Sequence, residues 1–221
     1  MMEGILVVDK PDGMTSHDVV AKVRRKFKTR RVGHAGTLDP LATGVLVLLV
    51  GKATKLFSKF VAFDKAYRAT MILGTQTTSA DTQGDVIQQS PYQDVTQQQV
   101  EEAFKRFRGE IEQVPPMVSA VKVKGRKLYQ FARQGITIER QARRIRIDCL
   151  RIERFDPPEV TFYLECSKGT YVRQLAEDVG KVLGCGACIS QIRRTKVGKF
   201  LIEDAVNLEE LNESHLRNWE G

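Results

Sequence analysis

The sequence is short of residues that would complicate its reading. It has three histidines, His17, His34 and His215, and they lie far apart. It has four cysteines, Cys149, Cys166, Cys185 and Cys188. Cys185-Gly186-Ala187-Cys188 has the spacing of a redox pair or of half a zinc site, but no second half exists, since Cys149 and Cys166 have no nearby partner ligand. Free thiols in a reducing compartment fit the pattern better, and no metal is expected. Aromatic residues make up only 7% of the chain, too few for a broad platform on which bases could stack. Long apolar runs are missing too. The longest, residues 45–50, falls far short of the roughly 18 residues needed to cross a bilayer. Met1-Met2-Glu3-Gly4-Ile5 is not a charged leader followed by an apolar stretch, so the expected location is cytoplasmic, with no membrane partner.

Positive charge is what the chain has in excess. Thirty-five Lys and Arg face 27 acidic residues, a formal net charge of +8. That balance suits a polyanion such as nucleic acid, whose phosphates dominate non-specific affinity. The basic residues cluster at Arg24, Arg25, Lys26, Lys28, Arg30 and Arg31, and again across residues 122–144. Such runs are usually solvated faces. The first sits immediately before a glycine-rich stretch, which makes phosphate its natural partner.

The patterning predicts alternating strands and helices of modest length. Ile5-Leu6-Val7-Val8 is a short strand closed by the turn Asp9-Lys10-Pro11-Asp12-Gly13. Ser16 is placed to cap a helix whose apolar face is Val19, Val20, Val23 and Phe27. Residues 66–73 read as a strand and residues 75–89 as a polar loop. Thr96 and Gln99 have capping-box spacing ahead of Val100, Ala103, Phe104 and Phe107. Tyr129, Phe131 and Ala132 suggest a short helix inside the basic segment. Ile145, Ile147 and Cys149 alternate, then the apolar phase moves to Leu150 and Ile152, which predicts a bulge. Val160, Phe162, Leu164 and Cys166 alternate as in a half-buried strand. Val172, Leu175, Ala176, Val179 and Leu183 recur at helical spacing, and residues 208–211 look helical. Strands recur without regular βαβ alternation. The expected fold is therefore α+β, one domain over residues 1–221, with a mixed, mostly antiparallel sheet flanked by helices.

One stretch stands apart: Gly33-His34-Ala35-Gly36-Thr37-Leu38-Asp39-Pro40-Leu41-Ala42-Thr43-Gly44, running straight into the apolar block at residues 45–50. Glycine admits backbone geometries closed to other residues and proline fixes φ, so a rigid loop ending on a buried strand can hold one carboxylate, Asp39, in place. A lone Asp-Pro would be read as a structural turn. Here further blocks accompany it. Asp9-Lys10-Pro11 with Gly13 and Thr15-Ser16 precedes it, and Lys65-Ala66-Tyr67 with Leu73-Gly74 and residues 75–84 follows. Then come Gln113-Val114-Pro115-Pro116-Met117 with Ser119-Ala120, and Lys127-Leu128-Tyr129 with Ala132-Arg133 and Gly135. The last are Cys166-Ser167-Lys168-Gly169-Thr170-Tyr171-Val172-Arg173, and Gly184-Cys185-Gly186-Ala187 through Arg193-Arg194-Thr195. In this order the blocks resemble the TruB family, the tRNA pseudouridine-55 synthases, over nearly the whole chain.

The resemblance implies the pseudouridine synthase fold and an enzyme that isomerises uridine 55 in the T-loop of tRNA, with no cofactor or metal. It makes Asp39 the nucleophile and Arg173 the cation that favours its ionised form. Tyr67 would stack on the target base and handle protons, making Asp39, Tyr67 and Arg173 the catalytic set. Tyr171 and Ile192 would line the uridine pocket with Tyr67, and His34 would help hold the T-loop open around a flipped nucleotide. Residues 122–144 coincide with a basic thumb loop that closes on RNA. A monomer acting on the T-arm is the expected assembly. Two departures are visible. Val118 stands where relatives carry Tyr, so the backbone role is expected to survive without the polar group of that side chain. The chain also leaves little room for a C-terminal RNA-binding domain of the PUA type. Two rivals belong to other classes: a catalytically idle RNA-binding or tRNA-folding protein, and a metal-dependent nucleic-acid enzyme using Cys185 and Cys188.

Overall fold

The computed structural model describes residues 2–219 except 120, 121, 124 and 133, and leaves the side chains of 122, 127, 129 and 132 undescribed. Lys124 and Arg133 of the basic segment, and the Tyr129 and Ala132 side chains expected on a helix face, thus lie outside the described residues. The chain forms two compact units, Met1–Arg68 with Ile192–Gly221, and Ala69–Gln191.

The first unit starts with β1 (Gly4–Lys10), α1 (Ser16–Lys26), β2 (Val32–His34) and β3 (Ala42–Val50). β1 and β3 pair antiparallel from Gly4↔Val50 to Lys10↔Gly44, and β2 pairs antiparallel with the end of β3. The apolar block at 45–50 is buried throughout, as a strand covered on both faces requires. Val19, Val20, Val23 and Phe27 are buried as their spacing predicts. The helix cap differs from expectation: Thr15, not Ser16, is the N-cap, exchanging bonds with Asp18 in a capping box. A 3-10 turn (Gly51–Leu56), α2 (Phe57–Val61) and the start of β4 (Lys65–Leu73) complete this stretch.

In the second unit, residues 75–89 are not a plain loop. β5 (Thr75–Thr77) and β6 (Val86–Gln89) pair as an antiparallel hairpin. The pattern hid it because β6 is exposed along its length and so lacks apolar alternation. α3 (Gln97–Lys105) carries the predicted Thr96–Gln99 capping box and buries Val100, Ala103 and Phe104. It is followed by β7 (Gly109–Gln113), the short pair β8 (Lys122–Val123) and β9 (Arg126–Lys127), and α4 (Leu128–Ala132). β10 (Arg143–Asp156) pairs antiparallel with β7 and with β11 (Glu159–Cys166). The bulge read from the phase change falls between Ile147 and Cys149. Phe104 meets Phe162 edge-on at 5.7 Å, closing α3 onto the sheet. α5 (Val172–Leu183) follows and ends on Gly184 at φ +79, a left-handed cap.

The chain returns along β12 (Ala187–Val197) to the first unit and ends with β13 (Phe200–Leu201) and β14 (Val206–Asn207). β12 runs parallel to β3 and β14 parallel to β1, so the sheet is mixed and mostly antiparallel, in an α+β arrangement. Residues 208–211 form a turn, not a helix: the Asn207 carbonyl accepts from the amides of both Glu210 and Leu211, and Leu208 and Leu211 are buried. Ile5, Val7, Val45, Val47, Leu49, Phe60, Val197 and Phe200 pack into this unit's core.

Candidate active site

Asp39 sits in the connection between β2 and β3, and the backbone on either side of it is held from three directions. Ser16 Oγ donates to the Leu38 carbonyl at 3.0 Å and accepts from the Leu38 amide at 2.8 Å, satisfying that residue's main chain. The Pro40 carbonyl accepts from the Gly13 amide at 3.0 Å and from Lys10 Nζ at 3.2 Å. The Arg194 guanidinium reaches the carbonyls of Gly36 and Thr37. The Asp39 carbonyl itself accepts from the Ala42 amide, closing a turn into β3. The half-buried Asp39 side chain is thus carried by a fixed backbone.

Lys10 is wholly buried, and its ammonium also donates to the carbonyls of Pro11 and Met14. Burial lowers its pKa to about 8, against the pull of Asp12 and Asp39 in the other direction; Arg194 adds to the lowering. Two buried cations therefore serve the main chain around Asp39. The pattern pointed to neither, nor to Ser16 in this role. All three lie in motif blocks of the sequence, but their bonds are long-range and leave no periodic trace.

The other candidates in this unit fall on strands. His34 ends β2, half-buried and paired with Leu48. Ile192 pairs with Ala42, three residues after Asp39, and is buried. Tyr67, in β4, is buried between Ala66 and the exposed Arg68. The basic turn ending α1 is partly committed: Arg24 Nη2 donates to the Val32 carbonyl at 2.7 Å, and Lys22 and Lys26 both hold Glu209. Arg25, Lys28, Arg30 and Arg31 remain exposed.

Tyr171 and Arg173 belong to the second unit, at the start of α5. Tyr171 is the helix N-cap, and the buried Gln113 grips its main chain at two points: Oε1 accepts from the Tyr171 amide at 2.8 Å and Nε2 donates to its carbonyl at 3.1 Å. Arg173 is 4% exposed, so it is not the surface arginine its local sequence suggests. Nη1 donates to the Ser79 carbonyl at 2.8 Å and lies 3.4 Å from Asp81 Oδ2; Nη2 donates to the Val118 carbonyl at 2.8 Å. Val118 takes part through its main chain, so the bond does not depend on which side chain stands there. Asp81, buried, also accepts from Ser79 Oγ and from the Gln83 amide. Gln113 and Asp81 went unread because Gln113 carried no pattern beyond its motif block and Asp81 lay in a segment read as a polar loop. Cys185 and Cys188 are free and buried, and burial pushes the Cys188 thiol up, away from the thiolate that metal binding needs. Among the described residues no cluster of His, Cys, Asp or Glu is arranged to hold a metal, and no helix is long and apolar enough to cross a membrane.

Residues 24–172 match the family profile described as TruB family pseudouridylate synthase (N terminal domain), and residues 173–220 that of the tRNA pseudouridylate synthase B C-terminal domain. The chain belongs to the TruB family. It is 51% identical over 212 residues to the tRNA pseudouridine synthase B of Mycobacterium sp. (strain KMS), spanning 94% of this chain and 71% of that one. It is 47% identical over 208 residues to the protein of the same name from Opitutus terrae, spanning 94% of this chain and 86% of that one. Among solved structures, a chain of a Cbf5-Nop10-Gar1 complex superposes with TM-score 0.74 at 32% identity, over 94% of this chain and 53% of that one. A chain of an H/ACA RNP bound to a substrate RNA containing 2'-deoxyuridine superposes with TM-score 0.71 at 28% identity, over 94% of this chain and 52% of that one. The TruB chain described here thus spans about half the length of these two solved chains.

Proposed function

We infer that this TruB-family chain is a tRNA pseudouridine synthase, an isomerase that converts uridine 55 of the T-arm to pseudouridine. The carrying observation is the Asp39 turn: a half-exposed carboxylate on a backbone fixed by Ser16, Lys10 and Arg194. The reaction breaks the bond between C1′ and N1 of the base, turns the uracil, and joins C1′ to C5. The C5 proton leaves and N1 gains one, so nothing is added overall. Asp39 is the nucleophile that carries the detached state, in its ionised form. Arg173 is the cationic member of the catalytic set, and Asp81 with the Ser79 and Val118 carbonyls fixes its guanidinium.

The target base is enclosed in a folded loop and has to be extruded, at a cost of a few kcal/mol that stacking must offset. Tyr67 supplies the stack and a phenolic oxygen for the C5 proton, Tyr171 and Ile192 line the uridine pocket, and His34 helps hold the T-loop open around the flipped nucleotide. None of these steps calls for a cofactor or metal. The test is to map pseudouridine in a tRNA transcript incubated with the protein and with Asp39→Asn. Conversion by the first and none by the second, with tRNA still bound, is expected. Turnover by Asp39→Asn would sink the assignment, and an inactive wild-type protein that binds tRNA would leave only an RNA-folding role.

A further inference from the structure

Arg194 heads the fully buried side chains by volume, at 1% exposure. Arginine does not lose its proton in proteins, so a permanent charge stands where an unsupported one is costly. Its neighbour Arg193 shows the ordinary alternative. On the opposite face of β12, its fork meets the Asp9 carboxylate at 2.7 and 3.2 Å with the side chain 43% exposed. Among the described residues, Arg194 bonds to main chain alone. Nε donates to the Val45 carbonyl at 2.8 Å, Nη2 to Gly36 at 3.1 Å and Nη1 to Thr37 at 3.4 Å. Gly36 and Thr37 are on the limb arriving at Asp39, and Val45 is on the limb leaving it. One planar group therefore spans the hairpin.

Both ends of this clamp are fixed. The Arg194 backbone pairs with Gly44 in the parallel ladder, so closely that a side chain on Gly44 would run into the Arg194 carbonyl. Gly36 has φ +103, a conformation that L side chains rarely adopt, and its carbonyl is one of the three held. We propose that Arg194 is a positioning residue for Asp39: its guanidinium sets where the two limbs of the hairpin, and so the carboxylate between them, stand. This rests on the reading of Asp39 as nucleophile. A lysine would keep the charge but not the planar fork, and could not hold three carbonyls in one geometry.

The test compares the single-turnover rate at saturating protein, and tRNA affinity by filter binding, for wild type and Arg194→Lys, with rates corrected for the folded fraction. A displacement of about 1 Å costs about a hundredfold in rate, so a loss of that order with unchanged tRNA affinity is expected. Wild-type rate per folded molecule, even with a lowered melting temperature, would overturn the proposal. So would a parallel loss of rate and tRNA affinity, which marks general distortion. If Arg194→Lys does not fold, Gly36→Ala reaches the same clamp from the loop: a Cβ there has open space apart from Arg194 Nη1 at 3.7 Å, but the φ is unfavourable. Its expected signature is the same, and a wild-type rate there overturns the proposal as well. The underlying reading is judged apart. An inactive wild type or an active Asp39→Asn sinks that reading, whereas an active wild type, a dead Asp39→Asn and a fully active Arg194→Lys sink this inference alone.

Discussion

Asp39 and Arg173 are anchored by opposite strategies. Around Asp39 the anchors are buried cations and a serine that act on the main chain, and the carboxylate makes none of those bonds. Arg173 is its own anchor: two of its nitrogens hold carbonyls and one of them faces Asp81. The first design separates the holding groups from the side chain they position, so the Asp39 carboxylate can be changed without breaking those bonds. The second joins them, so a change at Arg173 alters charge and local structure together.

The sharpest way to extend the first half of that contrast is Tyr67→Phe. It keeps the ring in β4 and removes only the phenolic oxygen. If that oxygen handles the C5 proton, turnover falls by about 10²–10⁴-fold with tRNA affinity kept. A variant as fast as wild type would leave the hydroxyl without a chemical role. Arg173→Lys probes the second half. Losing the fork should lower kcat on the order of a hundredfold. Asp81→Asn should also destabilise the protein, because removing one member of a buried pair costs about 3–5 kcal/mol. Chemical denaturation of the Asp81 variant alongside Asp39→Asn tests the contrast, since the former should shift by more.

Lys10 gives a subtler signature. Below pH 8 it is charged in the folded and the unfolded chain. Between about 8 and its ordinary 10.5 the unfolded chain holds a proton that the folded protein has released, so the Lys10 contribution to stability rises with pH in that window. Unfolding free energies for wild type and Lys10→Met across pH 8 to 10.5 should diverge in wild type's favour as pH rises. Parallel curves would show that the ammonium is not held at a loss. The smallest effect concerns the basic segment. Neutralising Lys122, Lys124, Arg126 and Lys127 should flatten the log–log salt dependence of tRNA binding by roughly 0.7–0.9 for each phosphate no longer engaged. An unchanged slope would mean that the segment stays off the RNA.

The fold class was legible because it rests on periodicity: the Val160–Cys166 alternation, the bulge after Ile147 and the α5 stripe each follow from local spacing. The β5–β6 hairpin was not, since an exposed strand has no apolar face to betray it. The turn at 208–211 misled because two buried leucines three apart fit one helical turn as well as a capped loop. At the candidate site, the family resemblance of the motif blocks singled out Asp39, Tyr67 and Arg173 but not what holds them. Arg194 and Lys10 read as two more basic residues in a basic chain, and Asp81 as a loop acid. Their burial is a property of the assembled fold.

The two bonds from Ser16 to Leu38 join residues 22 positions apart. The turn bearing Asp39 is therefore completed only when α1 has docked, through contacts that are non-local in the chain. The dependence also runs backwards. A fluctuation that lifts the first turn of α1 releases the Leu38 amide, so hydrogen exchange at Leu38 should keep pace with exchange in that helix rather than with the sheet. Under mild heat or denaturant, activity should then fade as α1 frays, while β1 and β3 still keep their amide protons.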